Sequence, residues 1–278
     1  MTAEPVLSLV TPSYNQAPFL RATLQSVADQ DYPAIEHIVV DGGSTDGSVE
    51  ILRDWDGHPI RWISEPDRGQ ADAINKGVAM ATGDVFAWLN SDDIYLDGGA
   101  VSAAMAALRG RDVVTGGGRL ISVDGVVLRR LPLRADRLSR SQIRHVDWIL
   151  QPATFMRMEL ARRFPLDPTL HWALDWDLFI RVADVAEFTP LDREIAGYRY
   201  HPGSKTAGGG APRQRELARV IARYHGYASI VYLGTLVCAA ALMLGGRLPG
   251  APGRRLRRVP QSLGLRSDRR TKGHGIPF

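Results

Sequence analysis

The chain has 278 residues, 45% hydrophobic and 23% charged, a balance that excludes disorder, collagen-like repeats and a disulfide scaffold and allows one large domain or two small ones. Nine of its 34 basic residues and one of its 30 acidic residues lie from Arg247 onward, leaving 25 against 29 before that point. The net charge of +4 is therefore a property of the tail, and the slightly acidic body gives no basis for a nucleic-acid partner.

Along the chain, β-rich runs at 6–10, 35–40, 60–64 and 85–89 alternate with amphipathic stretches at 18–30, 47–54 and 69–81. This alternation predicts an α/β fold, a single Rossmann-like domain with a mostly parallel central sheet and right-handed crossovers. Gly77 and Gly83 are expected to end a helix, and Pro33 and Pro59 to turn the chain ahead of strands. The opening residues 1–5 lack a basic region and the apolar run 6–10 is too short for an export signal. With Cys238 as the sole cysteine, a reducing, cytoplasmic setting is expected.

After Gly98 the pattern is less regular. A helix at 100–108 leads to a strand at 112–115, and Asp124-Gly125 between valines predicts a hairpin turn. Residues 134–144 read as a mobile loop or short helix over the active face, 151–155 as extended, 175–184 as a helix with Leu178, Phe179 and Val182 on one face, and 195–200 as a late strand. Gly208-Gly209-Gly210 is expected to be a hinge before a basic helix at 213–225.

Residues 228–246 carry no charge, marginal for a span of about 20 residues. Arginine clusters flank both sides, which disfavours a single span. An interfacial or monotopic helix at the inner face of the cell membrane, with an anionic-lipid-binding tail, is preferred over a span and over a buried or oligomer-packing helix. The organisation expected is a domain at 1–207, C-terminal helices at 208–246 and a basic, disordered tail at 247–278.

In an open α/β sheet the ligand crevice lies outside the carboxyl ends of the strands. Following the four predicted strands come Thr11-Pro12-Ser13-Tyr14-Asn15, Asp41-Gly42-Gly43-Ser44-Thr45-Asp46, Glu65-Pro66-Asp67-Arg68-Gly69 and Asn90-Ser91-Asp92-Asp93. All are polar and turn-forming, so one sheet edge would be rich in carboxylates, with Tyr14 as its stacking surface. Neither a dinucleotide-binding nor a P-loop glycine pattern is present. Adjacent carboxylates such as Asp92-Asp93 suit a hard cation bridging phosphate oxygens; the bland alternative is a helix cap and a solvated turn.

The order and spacing of Pro12-Ser13-Tyr14-Asn15, Asp41-Gly42-Gly43-Ser44-Thr45-Asp46-Gly47, Gly83-Asp84 and Asn90-Ser91-Asp92-Asp93 strongly resemble the family 2 glycosyltransferases of GT-A fold, over residues 5 to 205. The resemblance implies that Tyr14 and the backbone of Pro12 line a nucleotide base, with Asp41 accepting from the base edge. It implies that Asp92 and Asp93 serve a sugar nucleotide and a Mn²⁺ or Mg²⁺ cofactor, Asp93 as the direct ligand. Asn90 stands where many members carry Asp, which removes one negative charge. Ala73-Ile74-Asn75-Lys76-Gly77 lacks a family arginine whose role would pass to Lys76 or Arg68, and Asp72 is a weaker pocket candidate, with a helix-surface role equally open.

Leu174-Asp175-Trp176-Asp177-Leu178-Phe179-Ile180-Arg181 resembles the family's Glu-Asp motif with Leu174 replacing Glu. Asp175 then matches the carboxylate that deprotonates the acceptor hydroxyl, a poor nucleophile by itself. Asp177 is a lesser candidate, and helix capping is the alternative for either. One base serves a single, inverting displacement; no second constellation offers a nucleophile for retention. Tyr198-Arg199-Tyr200-His201-Pro202-Gly203-Ser204-Lys205-Thr206 resembles the late loop in which His201 reaches the metal while Ser204 and Lys205 close over phosphate. Gln151-Pro152, Trp172 and Trp176 fall where acceptor recognition is expected, with core packing open for at least one tryptophan. The implied partners are a nucleotide-sugar donor and a glycan or lipid-linked acceptor of surface polysaccharide assembly. A non-catalytic nucleotide-sugar or glycan binding module and, more distantly, a sugar-nucleotide pyrophosphorylase are the rivals.

Overall fold

The computed structural model describes residues 4–205 and 209–226. Its first half builds the expected alternation: β1 (Leu7–Ser13), α1 (Ala17–Ala28), β2 (Ile35–Asp41), α2 (Ser48–Arg53), β3 (Ile60–Ser64), α3 (Gln70–Met80) and β4 (Val85–Trp88). Every residue of β1 is buried, because helices cover both faces of a parallel sheet. Leu7 and Leu9 face one core cluster with α4 (Ala100–Leu108), whereas Val10 faces the other with Ala73 and Ile74 of α3, as a period of two requires. Gly77 lies inside α3 instead of ending it, and a Cβ there would strike the side chain of Val10, so this glycine lets helix and strand approach closely.

Parallel pairing sets Ser13 opposite Asp41, Asp41 opposite Ser64 and Val10 opposite Trp88. The carboxyl ends of β1 to β4 thus share one edge.

Beyond β4 come β5 (Ile94–Tyr95), β6 (Val113–Ile121), β7 (Val127–Leu131), α5 (Arg140–His145), β8 (Thr154–Arg157), α6 (Met158–Arg163), α7 (Leu174–Val182), β9 (Phe188–Arg199) and α8 (Gly210–His225). Among the described residues the strands form one mixed sheet in the order β3-β2-β1-β4-β8-β6-β9-β5, with β7 paired to β6. β8 runs antiparallel between β4 and β6, and β6 pairs with β9 in parallel. Both β6 and β9 are longer than the 112–115 and 195–200 expected. The triple glycine lengthens β6: side chains at Gly116 and Gly118 would collide with Ile195 and the Ala196 carbonyl of β9. The Asp124-Gly125 turn forms as expected, with Gly125 at φ 79°.

Residues 134–144 fold into a 3-10 turn, Ala135–Arg137, and α5. α5 is pinned to α7: Trp176 Nε1 donates to the Ile143 carbonyl at 2.7 Å, and Arg140 and Arg144 pair with Asp184. α8 lies past the expected boundary at 207, yet its Val220 and Ile221 join the same core cluster as Leu178, Phe179 and Val182 of α7. No described helix is long and apolar enough to cross a membrane. The uncharged run at 228–246 and the basic tail lie outside the described residues.

Candidate functional site

The strand-end loops are built by short-range hydrogen bonds to carboxylates. Asp41 is fully buried. Its Oδ2 accepts from Gly43 N (3.1 Å), Ser44 N (2.9 Å) and Ser64 Oγ (2.7 Å), and its Oδ1 from Ser44 Oγ. Asp46 caps the start of α1 through Ala17 N at 2.9 Å, and Asn15, at φ 52°, takes Thr45 N on its side chain. Pro12 is buried and Tyr14 stands 61% exposed at the lip of this edge. Asp72 is held by Arg68, which donates from its backbone and guanidinium. Lys76 ties Glu65 and the Pro66 carbonyl to α3. Both carboxylates, Asp41 and Asp72, therefore shape loops, and Asp41, fully buried, does not present an oxygen at the surface.

At the end of β4 the polar groups converge. Asp92 Oδ2 meets His201 Nε2 at 3.0 Å. Asp93 lies beneath, fully buried, accepting from Arg199 N (2.9 Å) and Asn90 Nδ2 (3.1 Å). Burial, then the neighbouring Asp92 charge, push the Asp93 carboxyl well above the usual carboxylate range. Asn90 connects onward through Gln70 Nε2 (2.6 Å), and Gln70 Oε1 accepts from Lys205 Nζ at 2.7 Å. Gln151, nearly buried, donates to the Trp88 carbonyl beside Asn90. Phe19 stacks on His201 at 4.6 Å and under Arg199 at 5.3 Å, while the Arg199 guanidinium donates to the carbonyls of Asp92, Ser122 and Val123. Ser204 is buried with no side-chain partner among the described residues.

Among the described residues no group of three or more His, Cys, Asp or Glu converges as a metal cage. His201 bonds to Asp92 and not to Asp93, so Asp92 and His201 are the pair presented, with Asp93 behind. One carboxylate and one imidazole suit a cation whose other ligands are waters and substrate phosphates; the mixed nitrogen and oxygen set fits Mn²⁺ better than Mg²⁺, which prefers oxygen ligands throughout.

Across the cleft, Asp175 sits on the first turn of α7, its Oδ1 accepting from Trp176 N at 2.8 Å. Burial raises its carboxyl, against the pull of backbone hydrogen bonds and of Arg213 and Lys205. Lys205 links the two sides: its Nζ donates to Gln70 and to the His171 carbonyl (3.0 Å), and burial lowers it to about 8 while Asp175, Glu216, Asp92 and Asp67 pull it back. Asp177 does not face this cleft chemistry. Fully buried, it accepts from Arg181 Nε, Arg223 Nη1 and Tyr224 Oη at 2.8–2.9 Å and pins α7 to α8. Trp176 is core at 4% exposure, whereas Trp172 remains half-buried near the cleft.

Sequence reasoning passed over Gln70, Phe19 and Glu216, and placed Arg199 beside His201 without giving it a role. Gln70 was within reach of it, since it follows Gly69 directly at the third strand end; the others become neighbours of the site only through tertiary packing.

Comparison with known proteins agrees with this geometry. The model for glycosyl transferase family 2 matches residues 8–168. An uncharacterized glycosyltransferase of Mycobacterium tuberculosis is 40% identical over 132 residues, 45% of this chain and 50% of that protein. TuaG of Bacillus subtilis, a putative teichuronic acid biosynthesis glycosyltransferase, is 40% identical over 93 residues, 32% of this chain and 37% of that protein. The chain thus spans about half or less of the length of these curated relatives. Among solved structures, the mannosyltransferase PcManGT of Pyrobaculum calidifontis, in complex with GDP-Man and Mn²⁺, has a TM-score of 0.65 at 21% identity, covering 92% of this chain and 79% of that one. S. aureus TarS in complex with UDP-GlcNAc has a TM-score of 0.62 at 16% identity, covering 87% and 82%. These likenesses establish the GT-A fold, and with the strand-end residues in place the chain belongs to glycosyl transferase family 2.

Proposed function

We propose that this chain transfers a sugar from a nucleoside diphosphate sugar to a hydroxyl acceptor, inverting the anomeric carbon. The observation that carries this reading is Lys205 Nζ, which donates to Gln70 in the network that holds Asn90 and Asp93 and to the His171 carbonyl just ahead of the turn that carries Asp175. Tyr14 offers a ring face to the base and the backbone at Pro12 its edge, with Asp41 shaping the adjoining loop. Asp92 and His201 would hold the cation, with Asp93 supporting them. A bound divalent ion supplies charge that offsets the leaving diphosphate. Lys205, whose charge Asp92 favours, adds a second positive group for the same oxygens. Asp175 takes the proton of the attacking hydroxyl; its raised carboxyl is a stronger base than an ordinary carboxylate.

The acceptor is a glycan or lipid-linked sugar of surface polysaccharide assembly, a reading supported by the description of TuaG. An inner-membrane location rests on the composition of 228–278 alone. Incubation with UDP-GlcNAc, UDP-glucose and GDP-mannose, with Mn²⁺ and with chelator, tests the proposal. Metal-dependent release of nucleoside diphosphate and an inverted product are expected. Tight donor binding without release would support the non-catalytic module, which the Asn90 and Leu174 departures permit.

A further inference from the structure

α7 carries the proposed base in its first turn, but its own sequence supplies no cap. The residue preceding it is Ala173, which has no side-chain acceptor, and helix N-termini leave backbone N–H groups that need partners. Within the first turn Trp176 N is taken by Asp175 itself, and the backbone just ahead of the helix is held by α8, more than 40 residues later. Glu216 is 1% exposed. Its Oε1 accepts from Trp172 N (2.5 Å) and Ala173 N (2.7 Å), and its Oε2 from His171 N (2.9 Å).

This clamp touches two working groups at once. Asp175 lies two residues beyond Ala173, so its backbone is set by the strand of chain that Glu216 holds. The carbonyl of His171, whose N–H Glu216 binds, accepts from Lys205 Nζ. A second anchor fixes α8 in the opposite sense, with Arg223 and Tyr224 of α8 donating to Asp177 of α7. Each helix thus offers one buried carboxylate to the other, and α8 lies beyond residue 168, where the matched family model ends.

We infer that Glu216 is a positioning residue for transfer: by binding the three backbone N–H groups of 171–173 it holds Asp175 and the Lys205 contact in working geometry, which makes α8 part of the catalytic unit. This rests on the reading of Asp175 as base. Groups that orient a reacting residue cost about 10- to 100-fold in activity when lost.

The test uses the full chain and the nucleotide sugar from the donor panel that gives most release. Glu216→Gln keeps the size and one acceptor oxygen but loses the bond to His171 N. Its kcat should fall about tenfold with a smaller rise in donor KM through the Lys205 contact, and Glu216→Ala should fall about 100-fold. Amide hydrogen exchange at 171–173 should quicken in Glu216→Gln while the β1 to β4 amides stay protected. If Glu216→Ala does not fold, Glu216→Asp, which retains charge but shortens the reach, should sit with Glu216→Gln. Unchanged kcat in both Glu216→Gln and Glu216→Asp, or equal losses in kcat and donor binding, would overturn the inference. Asp175→Asn run beside them separates the two claims: full turnover there removes the base assignment, whereas loss there with intact Glu216→Gln turnover removes only the positioning role.

Discussion

The two sides of the cleft use the same side chain, a carboxylate, in different ways. On the donor side local and remote contacts mix: Asp41 binds residues two and three ahead and Asp72 binds Arg68, whereas Asp92 and Asp93 are held by His201 and Arg199, 109 and 106 positions away. On the acceptor side the partners are remote: Asp177 meets Arg223 across 46 positions and Glu216 meets Ala173 across 43. Short-range carboxylate turns form with little chain entropy lost. Long-range ones require the fold first, and in return couple α7 to α8. The loops around Asp41 and Asp72 are thus shaped mainly by local turns, whereas the Asp92–Asp93 corner and the α7–α8 wall are assembled by packing.

The contrast is sharpest if each side is damaged separately. Asp175→Asn should cut turnover about 10²- to 10⁴-fold, the usual worth of a general base, while calorimetry finds donor binding nearly unchanged. In the wild type the acidic limb of turnover should lie above the ordinary carboxylate range, because burial raises Asp175 and only its ionised form, present above that pKa and lost as pH falls, accepts a proton. Asp92→Asn should weaken activation by Mn²⁺ about 10- to 100-fold, read as a shift in the metal titration, with the helix 174–182 unaltered. Equal sensitivity of metal activation to Asp175→Asn would erase the division between the two sides.

Asp177→Asn bears on packing alone. Losing charge-assisted bonds to Arg181, Arg223 and Tyr224 should lower stability by about 1.5–3 kcal/mol, measured by urea unfolding, with metal activation of the folded protein retained. The smallest effect concerns Lys205, which bridges both sides. Its charge is present below about pH 8 and lost above, so donor KM should rise several-fold between pH 7 and 9. Lys205→Arg should flatten that rise, since a guanidinium stays charged; a rise that persists assigns the titration to another group.

Much of the donor edge was legible because each strand end announces itself by composition. Asp41-Gly42-Gly43 follows a β-branched run, and Asn90-Ser91-Asp92-Asp93 follows Val85–Trp88. The pairing of His201 with Asp92 instead of Asp93 was not legible. Adjacent residues at a turn point different ways, and Arg199 N captures Asp93 from a strand 106 positions away. Gly77 misled for a related reason: a glycine in a helical pattern reads as an end until Val10 is found against it. Asp177 reads as a first-turn helix charge, and only the docking of α8 turns it into the pin between two helices.

Alternating hydrophobic periodicity and turn chemistry by themselves determined the βα units, the edge at which their loops gather and the identity of the acids there, because each depends on residues within a few positions of one another. Tertiary structure decided what surrounds each acid. Burial beneath Arg199 tucks Asp93 away, Arg223 and Tyr224 occupy Asp177, and Glu216 holds the turn that carries Asp175. A carboxylate's role follows from what surrounds it, and those surroundings arrive from distant parts of the chain only when the core closes.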